Sequence, residues 1–301
     1  MIEFRSVGKT YRSLLGTRVP AVTDFSLVVG EGEVLGLAGP NGAGKSTLIG
    51  LMLGFMPPSS GELSIDGLAP RAYVERHGIG YLSELLAIPP AWRTEHALRR
   101  YALLAGIEPS RVAARVDAVI EQIELGEHRR KLIKHLSKGN LQRVGLAQAL
   151  LCDERVLIFD EPTHGLDPMW TQRFRDLVTS LRRPDRVIFI ASHNLDELQR
   201  ISDRVAIIDK GRLQRVVDLK SSARAENRVR YRLTVAGGAE HVSAVFPDGA
   251  PVGYNEFDLP ERSLEELNAQ LSVLIARGGL VASVAPAQTA LEQQFREAVG
   301  R

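Results

Sequence analysis

Cysteine is nearly missing from this chain: Cys152 is the single one in 301 residues. One thiol excludes an internal disulfide and any metal site built on several cysteines, which leaves a buried structural thiol as the expectation. Long apolar runs are missing too. No stretch approaches the roughly 18 residues of a membrane span, and the start, Met1-Ile2-Glu3-Phe4-Arg5, lacks the basic and then apolar pattern of a secretory leader. The chain is therefore expected in the cytoplasm unless a partner holds it at a membrane. Net charge is scarce: 38 Lys and Arg against 36 Asp and Glu leave +2, so no nucleic-acid partner is expected. His77, His96, His128, His135, His164 and His241 show no metal-ligand spacing. At 44% hydrophobic and 25% charged residues, the chain has the composition of a globular protein, long enough for one large core or two domains.

What is present begins with Gly39-Pro40-Asn41-Gly42-Ala43-Gly44-Lys45-Ser46-Thr47, which meets the phosphate-loop pattern G-x-x-x-x-G-K-[S/T] at every fixed position. Its flanks are right for the motif. Val34 to Ala38 reads as a buried parallel strand, and Ser46 to Leu53 carries helical apolar spacing at Leu48, Ile49, Met52 and Leu53. The glycines let backbone N–H groups curl round an anion, and the helix start adds its positive dipole end. Lys45 is expected to bridge β and γ phosphates, with Ser46 as a magnesium ligand.

A second apolar run, Arg155 to Phe159, ends in Asp160-Glu161-Pro162. Two carboxylates at the C-terminal end of a buried strand sit where ligands bind in parallel α/β sheets. Asp160 suits magnesium, directly or through water, and Glu161 would orient or deprotonate an attacking water. Strand Val187 to Ala191 ends at Ser192-His193, which puts His193 over the same sheet edge, able to donate to a γ-phosphate. Tyr11, at the end of a first strand Ile2 to Tyr11, has two open readings, a ring that stacks on adenine or a half-buried strand residue. A second strand covers Phe25 to Val29, Arg12 to Pro20 is a polar loop, and Val205 to Ile208 closes the core. Between Pro89 and Gln148 the texture is helical, with segments Thr94 to Ala105, Pro109 to Ile123 and Asn140 to Leu151. Trp170, Phe174, Leu177 and Leu181 form a core stripe on a helix begun by Asp167-Pro168.

In this order the motifs resemble the nucleotide-binding subunit of ATP-binding cassette transporters over about residues 1 to 220. Leu136-Ser137-Lys138-Gly139-Asn140-Leu141-Gln142-Arg143 looks like the family signature usually written LSGGQ. In the family, the signature of one subunit covers the γ-phosphate held by the other; Ser137 and Gly139 at a helix start suit an anion. The resemblance implies an α/β fold: a phosphate-loop core with an antiparallel flank, a helical subdomain at about 89–148, and a small α+β domain at 228–301. It also implies ATP and Mg2+ as cofactors, adenine stacking by Tyr11, phosphate contacts from Gly39 through Thr47 and from Ser137 and Gly139, metal contacts from Ser46, Asp160 and Glu84, and hydrolysis served by Lys45, Glu161 and the switch histidine His193. Gly165-Leu166-Asp167 becomes the dimer-facing loop. The chain departs from the pattern in three places. Lys138 and Asn140 replace glycine and glutamine, Glu84 stands nearest to where a glutamine is typical, and His164 stands where a small polar residue is frequent.

The implied role is an ATPase subunit, in a homodimer or heterodimer, held at the inner face of the cell membrane by a separate permease and serving export. Glu84 to Trp92 is the expected coupling surface, with Leu85, Leu86, Ile88 and Trp92 as its apolar groups; the alternative is that they pack onto their own helical subdomain, the commoner fate for any one such residue. The rival is a soluble cassette ATPase of DNA repair or translation, which usually carries a coiled coil, a zinc module or tandem cassettes, none visible in this chain. A phosphate-loop kinase or GTPase fails on the signature and on the missing Asn-Lys-x-Asp motif. After a linker at Ser221 to Asn227, Val229, Tyr231, Leu233 and Val235 alternate as a strand, and Leu264, Leu267, Leu271, Leu274 and Ile275 share a helix face. Strand Leu280 to Val284 and a helix at about Thr289 to Val299 complete a β-α-β texture. This ending resembles the small C-terminal domain of export-type cassette ATPases, read either as a dimer-stabilising appendage or as a regulator.

Overall fold

Residues 1–12, 16–219, 229–286 and 290–300 are described in a computed structural model of the chain. The expected linker, Ser221 to Asn227, and Thr289 lie outside the described residues. The chain divides into two compact units, Met1–Asp218 and Leu219–Arg301.

The first unit holds two sheets. An antiparallel sheet of order β2-β1-β4 is built from β1 (Ile2–Arg12), β2 (Arg18–Val29) and β4 (Ser60–Ile65). The larger sheet has the order β5-β6-β7-β3-β8-β9, with β3 Val34–Ala38, β5 Gly80–Leu82, β6 Val156–Asp160, β7 Val187–Ser192, β8 Arg204–Asp209 and β9 Arg212–Asp218. Every residue of β3, β6 and β7 is buried. Strands covered on both faces need continuous apolar runs, and these three supply them. All pairs are parallel except β8 with β9, so the C-terminal ends of β6, β7 and β3 share one edge. The strand order places the ends of β6 and β3 on either side of β7, and the register pairs Ala38 with Ser192 and Asp160 with Ala191.

Helices α1 (Lys45–Met52) and α2 (Pro70–His77) precede a helical subdomain of α3 (Thr94–Leu104), α4 (Pro109–Gln122) and α5 (Lys138–Ala149). Val112, Val116, Val119 and Ile120 of α4 are buried on one face, as their spacing predicts. Helix α6 (Pro168–Leu181) buries Trp170, Phe174, Leu177 and Leu181, and α7 (Leu195–Ile201) follows β7. The sequence reading missed α2, α7 and β9, and it took the start of β2 for loop: residues Arg18 to Pro20 are strand. Cys152 is free and half-buried rather than buried, and burial pushes its thiol above the usual range, which leaves little thiolate.

The second unit is an antiparallel sheet of order β11-β12-β10-β13: β10 Val229–Gly237, β11 Ala250–Gly253, β12 Glu256–Arg262 and β13 Leu280–Pro286. Helix Leu264–Ala276 starts in a capping box of Ser263 and Glu266. Leu233, Val235, Phe246, Leu259, Leu267 and Leu274 form a core of its own. Of the residues expected to share one helix face, Leu267 and Leu274 are buried, while Leu264 and Ile275 at its margins are 61% and 59% exposed. The hairpin of β11 and β12 and the short helix Val242–Val245 were not foreseen.

Candidate functional site

The phosphate loop leaves β3 and enters α1 through two residues with left-handed backbone, Gly42 at φ 79° and Gly44 at φ 107°. A side chain at Gly44 would meet the Ala21 carbonyl oxygen at 2.7 Å, and one at Gly39 would meet that of Ile208 at 2.5 Å. Glycine is therefore required by space at both positions, and at Gly44 by backbone conformation as well. Residues Pro40 through Thr47 line a cavity of about 550 Å³ together with Ala21, Glu84, Asp160, Glu161, His164 and His193. Lys45 is 7% exposed and lies back on its own loop, its Nζ donating to the carbonyls of Gly39 at 2.7 Å and Pro40 at 3.4 Å. Those bonds satisfy a buried ammonium.

Across the cavity, Glu161 is fixed from three directions. Its Oε1 accepts from the His193 backbone N–H at 3.0 Å; its Oε2 accepts from Ser192 Oγ at 3.2 Å and lies 2.8 Å from His193 Nδ1. Its backbone sits at φ 48°, outside the regions most residues favour. The loop is braced by Gln142 of α5, whose Nε2 donates to the carbonyls of Glu161 at 3.2 Å and Pro162 at 3.3 Å. Sequence reasoning gave Ser192 and Gln142 no role. Both adjoin or sit inside recognised motifs, and only the folded loop shows what they hold. The His193 side chain is 61% exposed. With Nδ1–H given to Glu161, its Nε2 donates to a phosphate only if the ring carries both protons.

Asp160 is 5% exposed, and its carboxyl is pushed up to about 6, first by burial and then by the charges of Glu84 and Glu161, against the lowering effect of Lys45. A divalent cation would relieve that crowding of negative charge. The donor set is one hydroxyl, Ser46, and two carboxylates, Asp160 and Glu84, all hard oxygens. Among the described residues no cluster of three or more His, Cys, Asp or Glu forms a protein-only metal cage. This set fits magnesium, which takes its remaining ligands from phosphate and water.

Other expected site residues lie elsewhere. Tyr11 is 39% exposed and does not line the cavity; its hydroxyl is 3.5 Å from Thr47 Oγ1 and 3.1 Å from Met56 Sδ, at the cavity's border. Ser137 and Gly139 do not line it either. Ser137 is the N-cap of α5, accepting from Asn140 N at 3.2 Å, so the helix starts two residues before the expected Asn140. Asp167, in the expected dimer-facing loop, caps α6 by accepting from Trp170 N at 2.8 Å. The surface expected at Glu84 to Trp92 is only partly apolar to solvent. Leu85 is 83% exposed, but Ile88 is buried, Leu86 seats against Gly145, and Trp92 stacks under the Arg100 guanidinium at 4.2 Å. Leu86 and Trp92 meet the helical subdomain while staying partly exposed, and Ile88 alone of the four is withdrawn from solvent.

The family model described as ABC transporter matches residues 22–164. An uncharacterized ABC transporter ATP-binding protein of Nostoc sp. is 38% identical over 68% of this chain and 62% of its own length, so the chain spans under two thirds of that relative. The uncharacterized ABC transporter ATP-binding protein YhcH of Bacillus subtilis is 30% identical over 100% of this chain and 96% of its own. The methionine import ATP-binding protein MetN of Caulobacter vibrioides is 36% identical over 71% of this chain and 65% of its own. Among solved structures, the dimeric post-hydrolysis state of the ATP-binding cassette MJ0796 bound to ADP and Pi superposes with a TM-score of 0.67, covering 73% of this chain and 99% of that one at 21% identity, a likeness of fold.

Proposed function

Because the chain belongs to the ABC transporter ATP-binding protein family, we propose that it hydrolyses ATP in a dimer that encloses two nucleotides and drives a separate membrane permease. One observation carries this reading: the phosphate loop, Asp160 and the Glu161–His193 pair converge on a single cavity at one edge of the parallel sheet. The loop N–H groups and the start of α1 receive the phosphates, and Lys45 exchanges the Gly39 and Pro40 carbonyls for phosphate oxygens. Ser46, Asp160 and Glu84 would hold magnesium, which when bound neutralises charge on the β and γ phosphates. Glu161, oriented by Ser192 and His193, takes the proton of the attacking water. His193, doubly protonated, donates through Nε2 to the γ-phosphate.

The signature at Ser137 and Gly139 is turned to a second protomer in this reading, which accounts for its place outside its own cavity. Either an identical or a related chain would complete the dimer. The permease would place the protein at the inner face of the cell membrane; no helix among the described residues is long and apolar enough to cross one. Export is our reading of direction, supported by the second unit's likeness to the small C-terminal domain of export-type cassettes. The relatives named for methionine import cover 71% of this chain in the Caulobacter case, so direction is measured by substrate flux in vesicles carrying chain and permease. A soluble ATPase of DNA repair or translation is not favoured, since the curated relatives are named as transporter subunits. The test of the site is Lys45→Ala in the purified chain, which should abolish magnesium-dependent ATP turnover and weaken binding of a fluorescent ATP analogue; unchanged turnover would overturn the assignment.

A further inference from the structure

Two of the three departures from the family pattern meet in space. Lys138, in the signature, and His164, in the loop after Glu161, lie with Nζ 2.9 Å from Nε2. We propose that Lys138 and His164 are a positioning pair that ties the signature helix of a protomer to its own Glu161 through His193. The inference rests on the ATPase reading of the site.

A lysine ammonium has donors only, so His164 Nε2 accepts, and the His164 ring is neutral with its proton on Nδ1. That ring stands edge-on to His193, centroids 6.5 Å apart and planes at 89°. His193 Nδ1 is in turn 2.8 Å from Glu161 Oε2. The contacts thus run Lys138, His164, His193, Glu161 without a gap. The lysine stem reaches His164 by crossing Gly165. At φ 83° a Cβ on Gly165 would come within 2.8 Å of Lys138 Cδ, so the lysine stem lies across the bare Cα. Gly139, next along the helix, passes equally close, its Cβ position being 3.0 Å from the Gly165 carbonyl oxygen. The same helix holds the start of the loop through Gln142. An exposed lysine–histidine contact adds little to stability, so its effect is on the placing of His193 and Glu161. Lys138→Met removes the ammonium and keeps the stem over Gly165, and His164→Gln keeps an oxygen able to accept from Lys138.

The test uses the full chain and two readouts. Long-range proton–nitrogen spectra of the imidazoles, without nucleotide, should show His164 as the Nδ1–H tautomer, identified by its loss in His164→Ala. In Lys138→Met that signal should change and the His193 signal should move with it. In steady-state hydrolysis, Lys138→Met and His164→Ala should each lower kcat roughly fivefold, the size of one misplaced hydrogen bond, with KM for ATP within about twofold. The double variant should fall no further than either single one. His164→Gln should recover most of the loss. A His193 signal unmoved by Lys138→Met, losses that multiply in the double variant, or a glutamine no better than alanine would each overturn the pair. A wild-type chain without hydrolysis would instead refute the ATPase reading, and the imidazole spectra would still decide the pair.

Discussion

Glu161→Gln separates the two jobs of this side chain, holding its neighbours and accepting a proton. The carboxylate accepts from Ser192 Oγ, from the His193 N–H and from His193 Nδ1. Glutamine keeps one oxygen for the His193 N–H, and its NH2 finds an acceptor in Ser192 Oγ. What it loses is the acceptor for the Ser192 O–H and the partner for His193 Nδ1–H, the latter met, in the neutral ring of the nucleotide-free chain, by moving that proton to Nε2. One weakened hydrogen bond is worth about 1 kcal/mol, and the left-handed backbone at φ 48° is the same for either residue. The folded chain should therefore melt within a few degrees of wild type. A positioned general base contributes ~100- to 10,000-fold to rate, equivalent to ~3–5 kcal/mol of barrier. Single-turnover hydrolysis should fall at least ~100-fold, while ATP still binds and, unhydrolysed, accumulates a dimer seen by sedimentation. Turnover close to wild type would show that another group takes the proton.

Gly44→Ala should lower stability by about 2 kcal/mol and weaken nucleotide binding, because φ 107° is strained for alanine and its Cβ would lie 2.7 Å from the Ala21 carbonyl oxygen; thermal unfolding and ATP titration check both. Truncation after residue 218 should leave ATP affinity nearly unchanged while altering turnover or dimerisation, since each unit has its own core; a truncated chain that is folded by circular dichroism yet fails to bind ATP would refute this. In the helical subdomain, the Arg129 hydrogen bond, helped by Arg99, holds the Glu95 carboxyl at about 2 against an ordinary 4.5. Its folded pKa is depressed, so this stabilisation is complete above pH 4.5 and is lost as pH falls toward 2; of the ~3 kcal/mol this shift implies, solvent screening leaves about 1 kcal/mol. Glu95→Gln should flatten that part of the stability curve in acid, measured by urea unfolding.

The legible parts of the fold were those where burial constrains every residue. Strands β3, β6 and β7 are buried on both faces and appear as unbroken apolar runs, and α4 and α6 carry their stripes at helical spacing. Helix α2 buries only Pro70 and Tyr73, so it offers no stripe to read. Strand β9, at the sheet edge, buries Val217 alone, and the first three residues of β2 are exposed. In the second unit the β11–β12 hairpin turns through Asn255 at φ 57°, a left-handed position that asparagine tolerates but that Gly253-Tyr254-Asn255-Glu256 does not announce as a standard pair.

The site shows the same division more sharply. A phosphate loop is written in the sequence because space leaves Gly39 no substitute and space and backbone leave Gly44 none, and the acidic pair because it ends a buried strand. Partners between these motifs are not written. Gln142 holding the Glu161 carbonyl and Lys138 meeting His164 each join residues whose proximity depends on how α5 approaches the sheet edge. The stretch from Leu85 to Trp92 makes the limit plain. Its four apolar side chains lie outside any helix or strand, and they end exposed, against Gly145, buried, and under Arg100. Apolarity predicted a shared surface, but the packing of the helical subdomain assigned each side chain separately, so Leu85 is the one large apolar group of the four that this loop presents fully to solvent.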